Sequence, residues 1–176
     1  MWVFRKQKPK RSSQAKMVRR THYHQHREAA RDYINTRLEY FNQYYQLNYN
    51  RVAIRNQKRC WGSCSAKRNL NFSYKLLFLP PCLADYIIVH ELCHLRELNH
   101  STRFWAAVGE IMPDYQKRAK ILRNFERTHG TSIKALQTWS ANHQLTLCEF
   151  CQIIDTAAVT AMDKRDLESR NPIQVL

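Results

Sequence analysis

His90-Glu91-Leu92-Cys93-His94 lies inside an apolar stretch that runs from Leu83 to Leu98, directly after Pro80-Pro81. Leu83, Tyr86, Ile87, Leu92 and Leu95 give the stretch its core-forming content, so a helix is expected over 83–98, stopping near Asn99, a residue that tolerates a left-handed cap. On a helix, positions i and i+4 share one face, and both imidazoles can therefore reach one ion. Glu91, one place further on, is set to act as general base on a metal-bound water instead of as a ligand. Zinc lowers the pKa of such a water to about 7 and polarises the carbonyl under attack. The chemistry expected is metal-activated water attacking a peptide or other amide carbonyl.

Catalytic zinc usually takes three protein ligands and keeps one position open. His100 completes the spacing H-E-x-x-H-x5-H, which is that of the metzincins, enzymes that turn the chain after the helix at a glycine. Glu97 stands at that position here, which moves the expected turn to Leu98-Asn99. Glu110, followed by Asp114, is the competing third ligand; His100 is preferred. Three neutral imidazoles also accept other divalent transition metals, and zinc is the first expectation among them.

Upstream of the motif, Val52 and Ile54 alternate with Arg55 and Lys58, which reads as a strand over 51–59. Trp61 to Asn69 reads as a loop, and Leu70, Phe72 and Tyr74 alternate again before running into Leu76 to Leu79 as a second strand. Further upstream, Ala30, Tyr33, Ile34, Arg37, Leu38, Phe41 and Tyr45 recur at three- and four-residue steps, a packing helix over 27–47. Downstream, Ser101 is a natural N-cap for a helix carrying Phe104, Trp105, Val108 and Ile111. Pro113 opens another with Tyr115, Ala119, Leu122 and Phe125, closed by Gly130. The expected fold is α+β and zincin-like: a small antiparallel sheet packed on the HExxH helix and flanking helices, over 27–130. Residues 1–26 read as a basic, disordered arm, with a solvated tract at His22, His24 and His26. Residues 131–176 read as an unassigned tail.

Lys and Arg number 29 against 14 Asp and Glu, a net charge of +15. The first 27 residues hold nine of those cations and no acid, a field that attracts polyanions such as nucleic acid or an anionic membrane surface. No apolar run approaches the ~18 residues of a membrane span. Met1-Trp2-Val3-Phe4 is too short for a signal-peptide core, and six cysteines in an unsecreted chain read as thiols or metal ligands. The expected location is cytoplasmic. Cys148 and Cys151 could join Cys60 and Cys64 in a structural zinc site, but only the first pair has the common two-residue gap.

Six blocks occur in order: Trp61-Gly62-Ser63-Cys64-Ser65, Asn69-Leu70-Asn71-Phe72, Leu79-Pro80-Pro81, His90 to Leu95, Asn99-His100-Ser101 with Phe104-Trp105, and Met112-Pro113-Asp114-Tyr115. Over roughly residues 27–128 this resembles the YgjP-like metallopeptidase domain family of predicted zinc-dependent hydrolases, related to the SprT-like and other minimal HExxH proteases. The resemblance implies that His90, His94 and His100 bind one zinc ion, that Glu91 is the catalytic base, and that a short sheet beside the active-site helix holds an extended peptide or protein substrate. Cys60 stands where the family usually has a basic residue. Members typically begin with a longer β-rich region where this chain has a short basic arm, so part of the substrate platform is expected to be missing. Trp61 reads equally as a substrate-cleft residue and as a core aromatic. Cys64, Cys93, Phe104 and Trp105 read as packing residues. The rival reading is a basic nucleic-acid-associated binding module whose zinc is structural or vestigial; the presence of Glu91 argues against it, since a structural site needs no base.

Overall fold

The computed structural model describes residues 13–129 together with Lys134 and Leu136. The first twelve residues and nearly all of the tail, with Cys148 and Cys151, lie outside the described residues. The order is α1 (Ser13–Tyr45), β1 (Arg51–Arg55), β2 (Gly62–Cys64), β3 (Asn69–Ser73), a 3-10 helix (Tyr74–Phe78), α2 (Pro81–Cys93), α3 (Thr102–Ile111) and α4 (Tyr115–His129). The class is α+β, as expected. No helix among the described residues is long and apolar enough to cross a membrane.

Helix α1 begins at Ser13, well before Arg27, which corrects the reading of residues 13–26 as disordered. Neither Pro nor Gly interrupts residues 10–45, and the N-terminal part of the helix has tertiary anchors. The Tyr23 hydroxyl donates to the Ile54 carbonyl at 2.8 Å. His22 and His26 stack on each other and their rings lie 5.4 and 5.1 Å from Phe78, so of the three histidines only His24 is solvent-exposed. Ala30, Ile34, Leu38, Phe41 and Tyr45 form the buried stripe that the periodicity foretells. A bidentate pair from Arg37 to the buried Asp85, both bonds 2.7 Å, ties α1 to α2.

The sheet is mixed rather than antiparallel. Its order is β1-β3-β2, with β1 parallel and β2 antiparallel to β3. The expected loop over 61–69 holds a strand of its own, because both its ends are fixed. Trp61 is buried, and the turn after Cys64 closes by Arg68 N–H donating to Ser65 O at 2.8 Å. Arg68 sits at φ 57° in that turn, in the left-handed region. The strand expected over 70–79 ends at Ser73, whose side chain caps the 3-10 helix that follows. Tyr74, Lys75 and Leu76 are buried in succession, and such a run suits a buried helical turn as well as a strand.

Helix α2 is the centre of the molecule. Eleven of its thirteen residues are buried, leaving no polar face. It starts at Pro81 and ends at Cys93, with His94 as C-cap, five residues before the expected end. The next two N–H groups, of Leu95 and Arg96, bond to the carbonyls three residues back, which tightens the chain into a turn. Positive φ among the non-glycine described residues is confined to Gln46 and Arg68, so Asn99 is not a left-handed cap.

Candidate metal centre

Because α2 is buried on all sides, its few polar side chains have unusual surroundings. His90 and Glu91 occupy its last turn and His94 its C-cap; a turn then brings His100 back over them. The three imidazole rings form a near-equilateral triangle, with centroids 4.9 Å (His90–His94), 4.8 Å (His94–His100) and 5.0 Å (His90–His100) apart. One nitrogen from each lies within 4.8 Å of the others. Nε2 of His90 and Nε2 of His100 face each other at 3.0 Å.

Separate contacts hold each ring. Nδ1 of His94 donates to the Glu97 carbonyl at 3.0 Å, which leaves Nε2 with a lone pair for the cluster. Glu97, at the position of the metzincin glycine, thus shapes the turn with its carbonyl, while its carboxylate pairs with Arg103 at 3.2 Å. Asn99 Oδ1 accepts from Ser101 N–H and the Ser101 hydroxyl caps α3, which fixes the chain on the far side of His100. Phe104, fully buried, is the floor of the site: its ring lies 4.9, 4.4 and 4.8 Å from those of His90, His94 and His100. Trp105 stacks on His100 at 5.5 Å, and Tyr115 of α4 stacks on Trp105 at 5.2 Å. Phe104 and Trp105 are therefore packing residues whose packing partners are the histidines.

Glu91, directly after His90 on α2, is buried, and its Oε2 has no hydrogen-bond partner. Gly62 of β2 lies against it: a Cβ there would stand 2.5 Å from Glu91 Cγ and 2.7 Å from Oε1. Only a residue without a side chain lets the strand approach this carboxylate. Burial raises the Glu91 pKa to about 8, so the carboxyl holds its proton at neutral pH when no cation is near. A cation in the histidine cluster would favour the charged form and pull that value down. Burial, reinforced by His94 and His100, lowers His90 to about 3, and burial lowers His94 as well. These two rings are accordingly neutral at pH 7, the state in which imidazole binds a metal.

The donor set fits a divalent transition metal. An ion about 2.0–2.1 Å from each nitrogen needs the nitrogens roughly 3.4 Å apart, a spacing between the 3.0 Å of the His90–His100 pair and the 4.8 Å that bounds the cluster. Among the described residues no carboxylate belongs to the cluster. Glu110, the competing third ligand, is exposed on α3 and paired with Arg96 at 3.1 Å. Asp114 is held by Arg118.

Of the other residues singled out in the sequence, Trp61 is buried and its indole N–H donates to Glu126 of α4 at 2.6 Å. It packs with the buried core cluster. Cys93 is buried, Cys64 half-buried and Cys60 exposed. Gly62 and Arg68 were not foreseen. Gly62 carried a signal, being one of only three glycines in the chain. Arg68 carried none: its guanidinium reaches the Leu95 carbonyl at 3.3 Å and the Asn48 carbonyl at 2.7 Å, contacts between segments far apart in sequence.

Fold and site together define a metallopeptidase-like domain. The chain belongs to the YgjP-like metallopeptidase domain family, whose model matches residues 4–125, a span that begins well before Arg27. Among solved structures, the metallopeptidase zymogen of Pyrococcus abyssi abylysin is similar at 24% identity, with a TM-score of 0.48, over 52% of this chain and 92% of that one. No curated protein matches the chain.

Proposed function

We propose that this protein is a zinc-dependent peptidase in which His90, His94 and His100 hold the ion and Glu91 is the general base. The observation that carries the reading is the meeting of three imidazole nitrogens within 4.8 Å, with a buried carboxylate oxygen that has no partner on Glu91, the residue directly after His90. Bound zinc would supply Lewis acidity toward the substrate carbonyl and toward water. Glu91 takes a proton from the attacking water as its oxygen bonds to the peptide carbonyl carbon. It then passes that proton to the amide nitrogen as the C–N bond breaks. The apolar walls around Glu91 keep bulk water from competing for that proton.

An extended peptide is the substrate form that the sheet favours. Ser73 N–H donates to Trp61 O and Ser65 N–H to Asn69 O, so residues 61, 63 and 65 bond inward to β3. By the alternation of an antiparallel ladder, Gly62 and Cys64 turn their N–H and C=O groups away from β3, to an edge on which no strand pairs among the described residues. A peptide strand added there runs alongside Glu91.

Metal content by mass spectrometry tests the ligand set, alongside hydrolysis of a quenched fluorescent casein. Wild type and Glu91→Ala are expected to carry about one zinc per chain, and His100→Ala to lose most of it. Hydrolysis is expected to fall about 10²–10⁴-fold in Glu91→Ala despite full metal loading. Zinc retained in His100→Ala would move the third ligand elsewhere. Undiminished hydrolysis in Glu91→Ala would remove the base from its role.

A further inference from the structure

We propose that the open edge of β2 selects acidic peptide segments, through a frame of exposed cations at both ends of the strand. This rests on the peptidase reading above and names its substrate class. Residues 40–84 contain seven Lys or Arg and not one Asp or Glu. Arg68 and Lys75 are used internally: the first holds the Asn48 and Leu95 carbonyls and the second is buried. Arg51 and Arg55 lie on β1, across the sheet from β2. Lys58 and Arg59, just before the strand, and Lys67, in the turn just after it, remain exposed at its two ends. Arg59 and Lys67 take part in no ion pair among the described residues.

Among the described residues, the acidic groups from Asp85 onward already have partners or are buried. Asp85, Glu97, Glu110 and Asp114 each pair with an arginine, Glu126 accepts from Trp61, and Glu91 is buried at the site. An incoming strand therefore meets two cations that have no ion-pair partner among the described residues, Arg59 before Gly62 and Lys67 after it. The chain reverses between Ser65 and Asn69, so Lys67 stands at the turn just past the end of β2, and carboxylates about three positions to either side of the cut bond are the ones that come near these cations. Complementary charge at such a rim acts on encounter rate and on the choice of partner. A single-stranded nucleic acid fits the frame less well, because it needs aromatic platforms on which bases stack. The one exposed Phe, Tyr or Trp among the described residues is Tyr44, on α1.

The experiment uses the full chain carrying Glu91→Gln, so that peptides bind without being cut. Three fluorescent peptides share one central sequence and carry Glu, Gln or Lys at the flanking positions. Anisotropy in about 0.05 M salt is expected to rank Glu over Gln over Lys, with about a tenfold spread that collapses near 0.5 M. Adding Arg59→Glu and Lys67→Glu is expected to invert the ranking. Arg20→Glu, a single charge reversal on α1 to be compared with Arg59→Glu alone, should leave it alone. Equal affinities overturn the proposal, as does an equal effect of Arg20→Glu, which would point to the field of the whole molecule. An oligonucleotide that loses affinity on Arg59→Glu and Lys67→Glu, while the peptides stay undiscriminated, overturns it in favour of nucleic acid. Cleavage by the metal-loaded wild type is scored separately: no cleavage of any peptide counts against the peptidase reading, while the binding order still decides the acidic preference.

Discussion

The two halves of the histidine cluster are built in opposite ways. His90 and Glu91 belong to a helix whose neighbours are nearly all buried, and apolar packing fixes them; Nδ1 of His90 and Oε2 of Glu91 are buried without partners. His94 and His100 lie at and beyond the helix end, where discrete polar contacts hold the chain: His94 to Glu97, Asn99 to Ser101, Arg68 to Leu95. Phe104 joins the halves by lying under all three rings. The contrast separates two tasks. The helical half sets protonation by excluding water, and the loop half sets position by hydrogen bonds. Damage to the first should appear in chemistry and pH dependence, and damage to the second in metal retention.

The largest effect is expected at Gly62. An alanine Cβ 2.5 Å from Glu91 Cγ must push the carboxylate or the strand aside. Gly62→Ala should cost about 1–3 kcal/mol by overpacking and lower peptide hydrolysis roughly a hundredfold through a carboxylate displaced by about 1 Å. Gly109→Ala is the matched control. Its new Cβ would meet the Tyr115 ring at 3.7 Å, an ordinary contact. A helix interior gains about 0.5–1 kcal/mol from that exchange. Thermal melts of both variants with hydrolysis rates check the pair, and equal behaviour would show that β2 does not press on Glu91.

Next in size is the pH dependence of the metal-free protein. The folded-state pKa of Glu91 is raised to about 8, so folded protein keeps a proton that the unfolded chain releases near 4.5. Stability then falls as pH rises through that window, by at most about 1.4 kcal/mol per unit. His90, lowered to about 3, acts in the other direction, but only below its ordinary 6.5. Between pH 6.5 and 8 the Glu91 slope is therefore unopposed by His90. Denaturant titrations of metal-free protein should show it in wild type and lose it in Glu91→Gln. A flat wild-type profile would mean that water reaches the carboxylate.

The same contrast governs what could be read from the sequence. The i, i+4 histidines and the glutamate between them are a local pattern, legible because helix geometry alone brings them together. His100 was legible through spacing. The end of α2 was not, because Leu95 and Leu98 continue an apolar pattern that a helix would also bury; the turn is made by a histidine side chain bonding to a carbonyl three residues on. Likewise the start of α1 was masked by charge. Repulsion among the basic residues argued for disorder, whereas Tyr23, His22 and His26 find partners on Ile54 and Phe78, more than twenty-five residues away in sequence. Strand β2 was missed because three residues between a buried tryptophan and a tight turn show no alternation to read.

The smallest effect tests the loop half by itself. Arg68 combines a left-handed backbone, φ 57°, with a guanidinium that caps the Leu95 carbonyl beside His94. Glycine would relieve the backbone strain and lose the cap, while alanine would keep the strain and lose the cap too. Arg68→Gly is therefore expected to be more stable than Arg68→Ala by about 1 kcal/mol, with both releasing zinc to a chelator faster than wild type by the same factor. Equal stabilities would remove the strain from the account of this turn. Unchanged zinc release in both variants would mean that the His94 turn stands without the arginine, leaving the Glu97 carbonyl and the Phe104 floor to hold the ring.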